Sequence, residues 1–395
     1  MSLPVLRLKK NEERRLRAGH LWIFSNEVDT AVTPLDGFEP GEQVRVETAR
    51  GETLGVAYVN PHSLICARLL ARRGAPFTSS DVVHRLKIAL GLRRRAFDVP
   101  CYRLVHGEAD LLPGLVVDRY GDDLVVQLNT AGMERLREAV LDALHKVLRP
   151  RSILLRNDAP VRALEGLPET VETVHGEVPA RFALRENGLD FVAPASGQKT
   201  GWYYDMRAVR AWLLRWARGA RVLDVFSYAG GFGVHAAAGG AAEVHCVESS
   251  PVAVEALREN FARNGFADRL TVHQGDAFEV LARLKADGAR FDLVVVDPPA
   301  FIKRKKDARA GLAAYRRLNE AALRLLGKDG LLVSASCSMH LPAENLADIL
   351  RAAGRHLDRH VEILAAGGQD VDHPVHPAIP ETRYLKAFLA RAVLV

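Results

Sequence analysis

A chain of 395 residues, 48% hydrophobic and 26% charged, is long for a single core, so its length predicts two or three folded domains. The net charge of +6 favours a polyanionic partner such as nucleic acid, and four singly scattered cysteines, Cys66, Cys101, Cys246 and Cys337, lack the spacing of a zinc site or disulfide framework, so no metal is expected. No apolar run is long enough to span a bilayer, and residues 6–17 are charged where a signal peptide is apolar; a cytoplasmic protein with no membrane partner is predicted.

Residues 1–73 read as a small β domain. Residues 42–47 alternate apolar with polar, Gly51 turns the chain, and 54–59 form a second strand. Lys9, Lys10, Arg14, Arg15 and Arg17 precede Trp22 and Phe24, a mixture of cations and stacking aromatics that suits nucleic acid, although each aromatic singly reads as core. Residues 74–189 read as an α+β unit: a helix over 81–97 capped by Asp81, a hairpin over 115–129 turned at Gly121-Asp122-Asp123, a helix over 133–148, and strands over 152–156, 178–184 and 189–192. From about 190 a third domain runs to residue 395, and after 211 it alternates strand with helix as a doubly wound parallel sheet requires. Its strands fall at 221–225, 244–247, 270–273, 291–296 and 330–334, with helices over 251–264 and 313–326. The fold class is therefore α/β with a β-rich first domain and an α+β middle domain.

In such a sheet ligands collect beyond the carboxyl ends of the strands. The first strand leads into Asp224-Val225-Phe226-Ser227-Tyr228-Ala229-Gly230-Gly231-Phe232-Gly233, an acid followed by a turn of small residues that lets a nucleotide-like ligand approach the backbone. The dinucleotide pattern G-x-G-x-x-G is absent, and a purely structural tight turn is the rival reading. Glu248, ending the second strand, is placed to accept from both ribose hydroxyls. Asp276, followed by Ala277, ends the third and suits an adenine amino group. Either acid alone also reads as a loop carboxylate or helix cap.

The fourth strand ends in Asp297-Pro298-Pro299-Ala300-Phe301, a carboxylate on a rigid loop able to grip a planar base. The fifth ends in Ser336-Cys337-Ser338, where a thiolate can add to carbon 6 of a pyrimidine and make carbon 5 a nucleophile, with Asp297 as the acid near ring nitrogen 3. Most free cysteines are buried small hydrophobes, which is the reading for the other three. Lys303, Arg304, Lys305 and Lys306 then supply phosphate contacts or form a solvated run.

These residues, together with Gly19-His20-Leu21-Trp22-Ile23-Phe24, the run 107–120 beginning Gly107-Glu108-Ala109-Asp110, the run 197–207 beginning Gly197-Gln198-Lys199-Thr200-Gly201, and Asp372-His373-Pro374-Val375, resemble the PUA-domain-containing family of ribosomal RNA large-subunit methyltransferases over essentially the whole chain. The family's best-known member makes 5-methylcytosine in 23S ribosomal RNA. The resemblance implies a PUA domain at 1–73, S-adenosyl-L-methionine as cofactor, ribosomal RNA as partner and a homodimer as an allowed state. It places Gln198, Lys199, Thr200 and Gly201 on the cofactor rim beside Asp224, Phe226, Ser227, Tyr228, Gly230, Glu248, Asp276, Ala277 and Asp297. It also makes Cys337 the nucleophile and gives Pro298, Pro299, Phe301 and the basic run to RNA. Two departures bear on this transfer. Ala300 stands where some RNA 5-methylcytosine enzymes carry a second cysteine, and the aromatic Phe301 after Asp-Pro-Pro resembles loops that methylate exocyclic amines or guanine nitrogens. Rival readings are thus a base-nitrogen methyltransferase on the same fold, a non-catalytic RNA-binding ribosome-assembly factor and, more distantly, a nicotinamide-dependent dehydrogenase.

Overall fold

The computed structural model describes residues 3–72, 74–197 and 200–395, which divide into two compact units. One takes in the described residues of Met1–Pro179, Gln198–Thr200 and Val371–Thr382; the other takes in those of Ala180–Gly197, Gly201–Asp370 and Arg383–Val395.

The first unit holds two sheets. Strands β1 (Val5–Arg7), β2 (Trp22–Ile23), β3 (Gln43–Glu47), β4 (Thr53–Val59) and β5 (Ala67–Ala71) make one, in the order β1-β3-β4-β5-β2. β3 and β4 lie where the alternation puts them, and alternate residues such as Val44 and Val46 enter a core with Leu6, Leu8, Ile23 and Val59. Trp22 is half-buried and donates from Nε1 to Glu108 Oε1 at 2.9 Å, while the Arg15 guanidinium lies 4.9 Å from the Phe24 ring centre. The second sheet consists of β6 (Cys101–His106), β7 (Leu115–Tyr120), β8 (Asp123–Leu128), β9 (Ser152–Asn157) and β10 (Thr170–His175), ordered β10-β9-β8-β7-β6. β7 and β8 form the expected hairpin, and β8 runs parallel to β9, the crossover between them carrying the helix Arg137–Leu148.

Three local expectations are corrected. The helix Ser79–Ala96 is capped by Thr78, and Asp81 sits three residues on, accepting from the Thr78 backbone N–H at 2.8 Å; an acid at that place reaches back to the cap instead of being it. The helix foreseen over 133–148 is two, Ala131–Arg135 and Arg137–Leu148, broken at Leu136. The strands foreseen over 178–184 and 189–192 do not complete the middle sheet. They are β11 (Arg181–Glu186) and β12 (Leu189–Pro194), which pair with each other and belong to the second unit. Asn260 fixes that hairpin there: its Oδ1 accepts from Val192 N at 2.7 Å, and its Nδ2 donates to Val192 O at 3.0 Å and to Ala229 O at 2.8 Å.

The second unit is built on a sheet of β13 (Arg221–Val225), β14 (Glu243–Glu248), β15 (Leu270–Gln274), β16 (Phe291–Val296), β17 (Leu326–Ser336), β18 (Arg359–Gly367) and β19 (Lys386–Leu394). Their spatial order is β15-β14-β13-β16-β17-β19-β18. β13 to β17 are parallel and β19 is antiparallel to both neighbours. Winding leaves β13 in one direction through β14 and β15, and in the other through β16 and β17. The order therefore reverses between β13 and β16, and in folds of this kind ligands bind at the carboxyl edge beside such a reversal. The central strands are apolar along their length because helices cover both faces: Val222, Leu223 and Val225 on β13 and Val294, Val295 and Val296 on β16 are buried. Among the described residues, no helix is long and apolar enough to cross a membrane, and no cluster of three or more His, Cys, Asp or Glu side chains is placed to hold a metal ion.

Candidate active site

The carboxyl edge of this sheet gathers most of the residues singled out from the sequence. After β13 the backbone turns through Phe226, Tyr228 and Gly230, all left-handed, with φ of 66°, 49° and 80°. Left-handed geometry at a non-glycine residue costs on the order of 1–3 kcal/mol and persists only where the surroundings fix it. Here they do. Ser227 Oγ donates to Asp224 O at 2.7 Å, Ser227 N to Val247 O at 3.0 Å and Gly230 N to Ser227 O at 2.8 Å, while the Tyr228 hydroxyl donates to Gly201 O at 2.7 Å. The helix Gly231–Ala238 starts at once, and a Cβ on Gly233 would lie 2.8 Å from Cys246 Sγ, so only glycine lets that helix sit so close to β14.

Asp224 lies beneath the turn, fully buried. Its Oδ2 accepts from Gly233 N at 3.0 Å, and its Oδ1 has no hydrogen-bond partner among the described residues. Burial, reinforced by the nearby Glu248, pushes this carboxyl up to about 7. Glu248, at the end of β14, is half-buried: Oε1 accepts from Ser249 N and Ser250 N, each at 2.8 Å, and Oε2 accepts from Tyr228 N at 2.8 Å. A carboxylate offers about four acceptor sites. Acceptor capacity beyond what the turn uses is thus left on Oε2. Asp276 is exposed and caps the helix Ala277–Ala286, its Oδ1 accepting from Phe278 N at 2.9 Å and Glu279 N at 3.2 Å. Cap and ligand group are therefore compatible in one carboxylate, because Oδ2 takes no part in the cap.

Across β13, Asp297 follows β16 and Cys337 follows β17, both half-exposed. Tyr203 ties them together. Its ring stands edge-on to Tyr228, centroids 5.3 Å apart, and its phenol is held above the usual range by burial and by Tyr228, Asp205, Asp297 and Cys337. Pro298 is buried, Pro299 exposed, and the Phe301 ring tilts onto Tyr315 at 4.9 Å, so this aromatic packs partly into the protein. The turn around Cys337 is braced by hydroxyls: Ser336 Oγ donates to Tyr315 OH at 2.8 Å, Tyr315 OH and Ser338 Oγ are 2.8 Å apart, and Ser338 Oγ accepts from Ile302 N at 3.2 Å. Ser336 and Ser338 are buried, while Cys337 between them turns outward. Lys303, Arg304, Lys305 and Lys306 are all exposed, Arg304 pairing with Asp307 at 3.0 Å.

Of the other foreseen rim residues, Gln198 and Lys199 lie outside the described residues. Thr200 is buried in the first unit, its carbonyl accepting from Tyr120 OH at 2.9 Å, and Gly201 belongs to the second. Tyr203, Tyr315 and Lys386 were not foreseen. Nor was Glu186, wholly buried on β11, which accepts from Trp202 Nε1 at 2.9 Å and Arg210 Nε at 2.6 Å and so fixes the segment leading to Tyr203.

Residues 165–374, more than half of the chain, match the S-adenosylmethionine-dependent methyltransferase family, and residues 6–72 match the PUA-like domain. The chain belongs to the S-adenosylmethionine-dependent methyltransferase family. This methyltransferase is 36% identical to the ribosomal RNA large subunit methyltransferase I of Erwinia tasmaniensis over 98% of each chain. It is 33% identical to the protein of that name from Vibrio cholerae, over 99% of this chain and 100% of that one. In fold it is similar to SMU.776, solved in complex with SAH, at a TM-score of 0.84 and 19% identity over 98% of this chain and 100% of that one. Trm5b of Pyrococcus abyssi shares the fold less completely, at a TM-score of 0.53 and 18% identity over 70% of this chain and 74% of the other.

The cofactor of the family suits what the methyltransferase offers. A nucleoside sulfonium brings hydroxyl and amino donors, and the carboxyl edge presents Glu248 Oε2 and Asp276 Oδ2 as acceptors on adjacent strands. The turn 226–230 lies between them and β16, closed underneath by the buried Asp224.

Proposed function

We propose that this methyltransferase acts on ribosomal RNA of the large subunit and forms 5-methylcytosine in 23S ribosomal RNA through Cys337. The names of its full-length relatives support the substrate class, and the net charge of +6 agrees with it. In this reading residues 1–73 and 74–189 dock the RNA in the cytoplasm, and Pro298, Pro299, Phe301 and the run Lys303 to Lys306 meet it beside the pocket. The cofactor is held by Glu248, Asp276, Ala277 and the turn Phe226 to Gly230, with Asp224 supporting that turn from below.

S-adenosylmethionine, when bound, supplies an electrophilic methyl group and leaves as S-adenosylhomocysteine. The Cys337 thiolate forms a bond to carbon 6 of an extruded cytosine, which moves the ring's double-bond electrons to carbon 5 and makes that carbon the nucleophile. Asp297 holds a proton at ring nitrogen 3, offsetting the charge that develops there. Once carbon 5 carries the methyl group and has given its own proton to solvent water, the electrons of that carbon–hydrogen bond remake the ring double bond, the carbon–sulfur bond breaks and the thiolate is restored.

The observation that carries this reading is that Asp297 and Cys337 directly follow the adjacent parallel strands β16 and β17 at the carboxyl edge, where both act on the half-buried Tyr203 phenol. Incubating wild-type and Cys337→Ser protein with 23S ribosomal RNA and methyl-labelled cofactor tests it. Loss of labelled cytosine with cofactor binding intact is the expected result. Full activity of the variant would discard the covalent route and leave a base nitrogen as the methyl acceptor.

A further inference from the structure

A thiol flanked by carboxylates and phenols is a poor nucleophile at neutral pH, because burial and negative neighbours both hold the proton on sulfur. Cys337 has such neighbours: together with Asp205 and Asp297 it acts on the Tyr203 phenol, which stands edge-on to Tyr228, and it acts likewise on the Tyr315 phenol of the helix Ala308–Leu325. A compensating cation is required if the thiolate is to be populated. β19 supplies one. Its first residue, Lys386, is paired in register with Ser336, the residue before Cys337. Nζ runs beneath the turn and donates to Ser338 O at 2.5 Å and Leu341 O at 2.8 Å, with the side chain buried.

We infer that Lys386 is a positioning residue for Cys337, its buried ammonium bracing the turn that carries the thiol and favouring the thiolate over the thiol. The inference deepens the reading of Cys337 as nucleophile and rests on it. Carbonyl oxygens satisfy two of the ammonium's three donors without neutralising its charge, so the field of that charge remains for the sulfur. Burial pulls Lys386 down to about 8 and Cys337 opposes the pull. Such influence is reciprocal: a thiolate that favours the ammonium is equally favoured by it.

The test is the pH dependence of Cys337 alkylation by iodoacetamide in the full chain without RNA, with Cys337→Ser protein as the background for the buried Cys66, Cys101 and Cys246. Wild-type protein should react with a midpoint below the ordinary thiol value of about 8.5. Lys386→Met should move that midpoint up by about one pH unit, a tenfold loss of thiolate at neutral pH, and Lys386→Gln, which keeps a donor for the carbonyls, should move it equally. A wild-type midpoint at or above the ordinary value overturns the inference even if neither variant folds. So does a folded Lys386→Gln protein whose midpoint matches wild type. Should the midpoint move while Cys337→Ser protein still methylates RNA, the nucleophile reading fails and the effect of Lys386 on the thiol stands. Should Cys337→Ser protein be inactive while Lys386→Gln leaves the midpoint in place, the opposite holds.

Discussion

The turn after β13 and the turn after β17 are built by opposite means. In the first, carboxylates hold the backbone: Asp224 takes Gly233 N, Glu248 takes Tyr228 N, Ser249 N and Ser250 N, and three left-handed residues are fixed around them. In the second, neutral hydroxyls and one ammonium hold the backbone, through Tyr315, Ser336, Ser338 and Lys386. Acceptors at the first turn suit a ligand rich in donors, whereas an anionic brace at the second would disfavour the thiolate. The sign of the brace thus follows from what each turn must present.

The largest test of this contrast is the charge beneath the first turn. Asp224 has its carboxyl raised from 3.8 to about 7, so the stability it contributes is fully present below the lower value and is lost as pH rises through the higher one. Asp224→Asn should therefore gain on wild type by about 1.4 kcal/mol per pH unit across that window, about 4 kcal/mol in all, and then level off. Denaturant titrations of both proteins from pH 4 to about pH 8 check this, and parallel stability curves would refute a buried titrating acid.

Next in size, Glu248→Ala removes the acceptor for three turn N–H groups and, in the proposed reading, for the ribose. Hydrogen bonds to a charged group contribute about 1.5–3 kcal/mol, so S-adenosylmethionine should bind about 10- to 150-fold more weakly by calorimetry. An unchanged affinity would separate this acid from the cofactor. Tyr315→Phe attacks the second turn and leaves the Ser336 hydroxyl buried without its acceptor. A loss of about 1–3 kcal/mol in global stability is expected, with cofactor affinity moving far less than in Glu248→Ala. Equal effects of the two variants on cofactor binding would mean that the turns are not separate devices. Smallest is the exposed basic run beside the second turn. Lys305→Ala with Lys306→Ala should flatten the salt dependence of RNA affinity by about one to two in log–log slope. An unaltered slope would leave the run as a solvated surface.

Legibility in the sequence followed burial. β13, β14, β16 and the second half of β17 are buried along most of their length and read as largely apolar runs, so their positions were evident, whereas β15, an edge strand whose residues are all part-buried or exposed, carried a weaker signal. β10 was not evident, because all but one of its residues are exposed and carry no periodic signal. β19 reads Lys-Ala-Phe-Leu-Ala-Arg-Ala-Val-Leu, rich in residues that favour helices, and only its pairing between β17 and β18 makes it a strand. That is also why Lys386 escaped notice: its partner Ser338 lies 48 residues earlier, and a lysine before an apolar run ordinarily marks an exposed end. Asp276 shows the converse, since a helix cap and a ligand acceptor leave the same trace in sequence and differ only in which oxygen is used. Tyr203 and Glu186 sat in or near a recognised run, yet nothing in their spacing announced that the buried Glu186–Arg210 pair would fix the segment that carries Tyr203.

The place of β19 also sets the order in which a ribosome can deliver a working pocket. Among the described residues β18 pairs only with β19, and β19 also pairs with β17 from Asp329 to Ser336. A nascent chain that has emerged as far as residue 385 carries Cys337 on an open strand edge, without the lysine beneath it. The turn that carries Cys337 is completed only once β19 has emerged, so ribosomes stalled before residue 386 should display a chain that cannot yet form the braced turn.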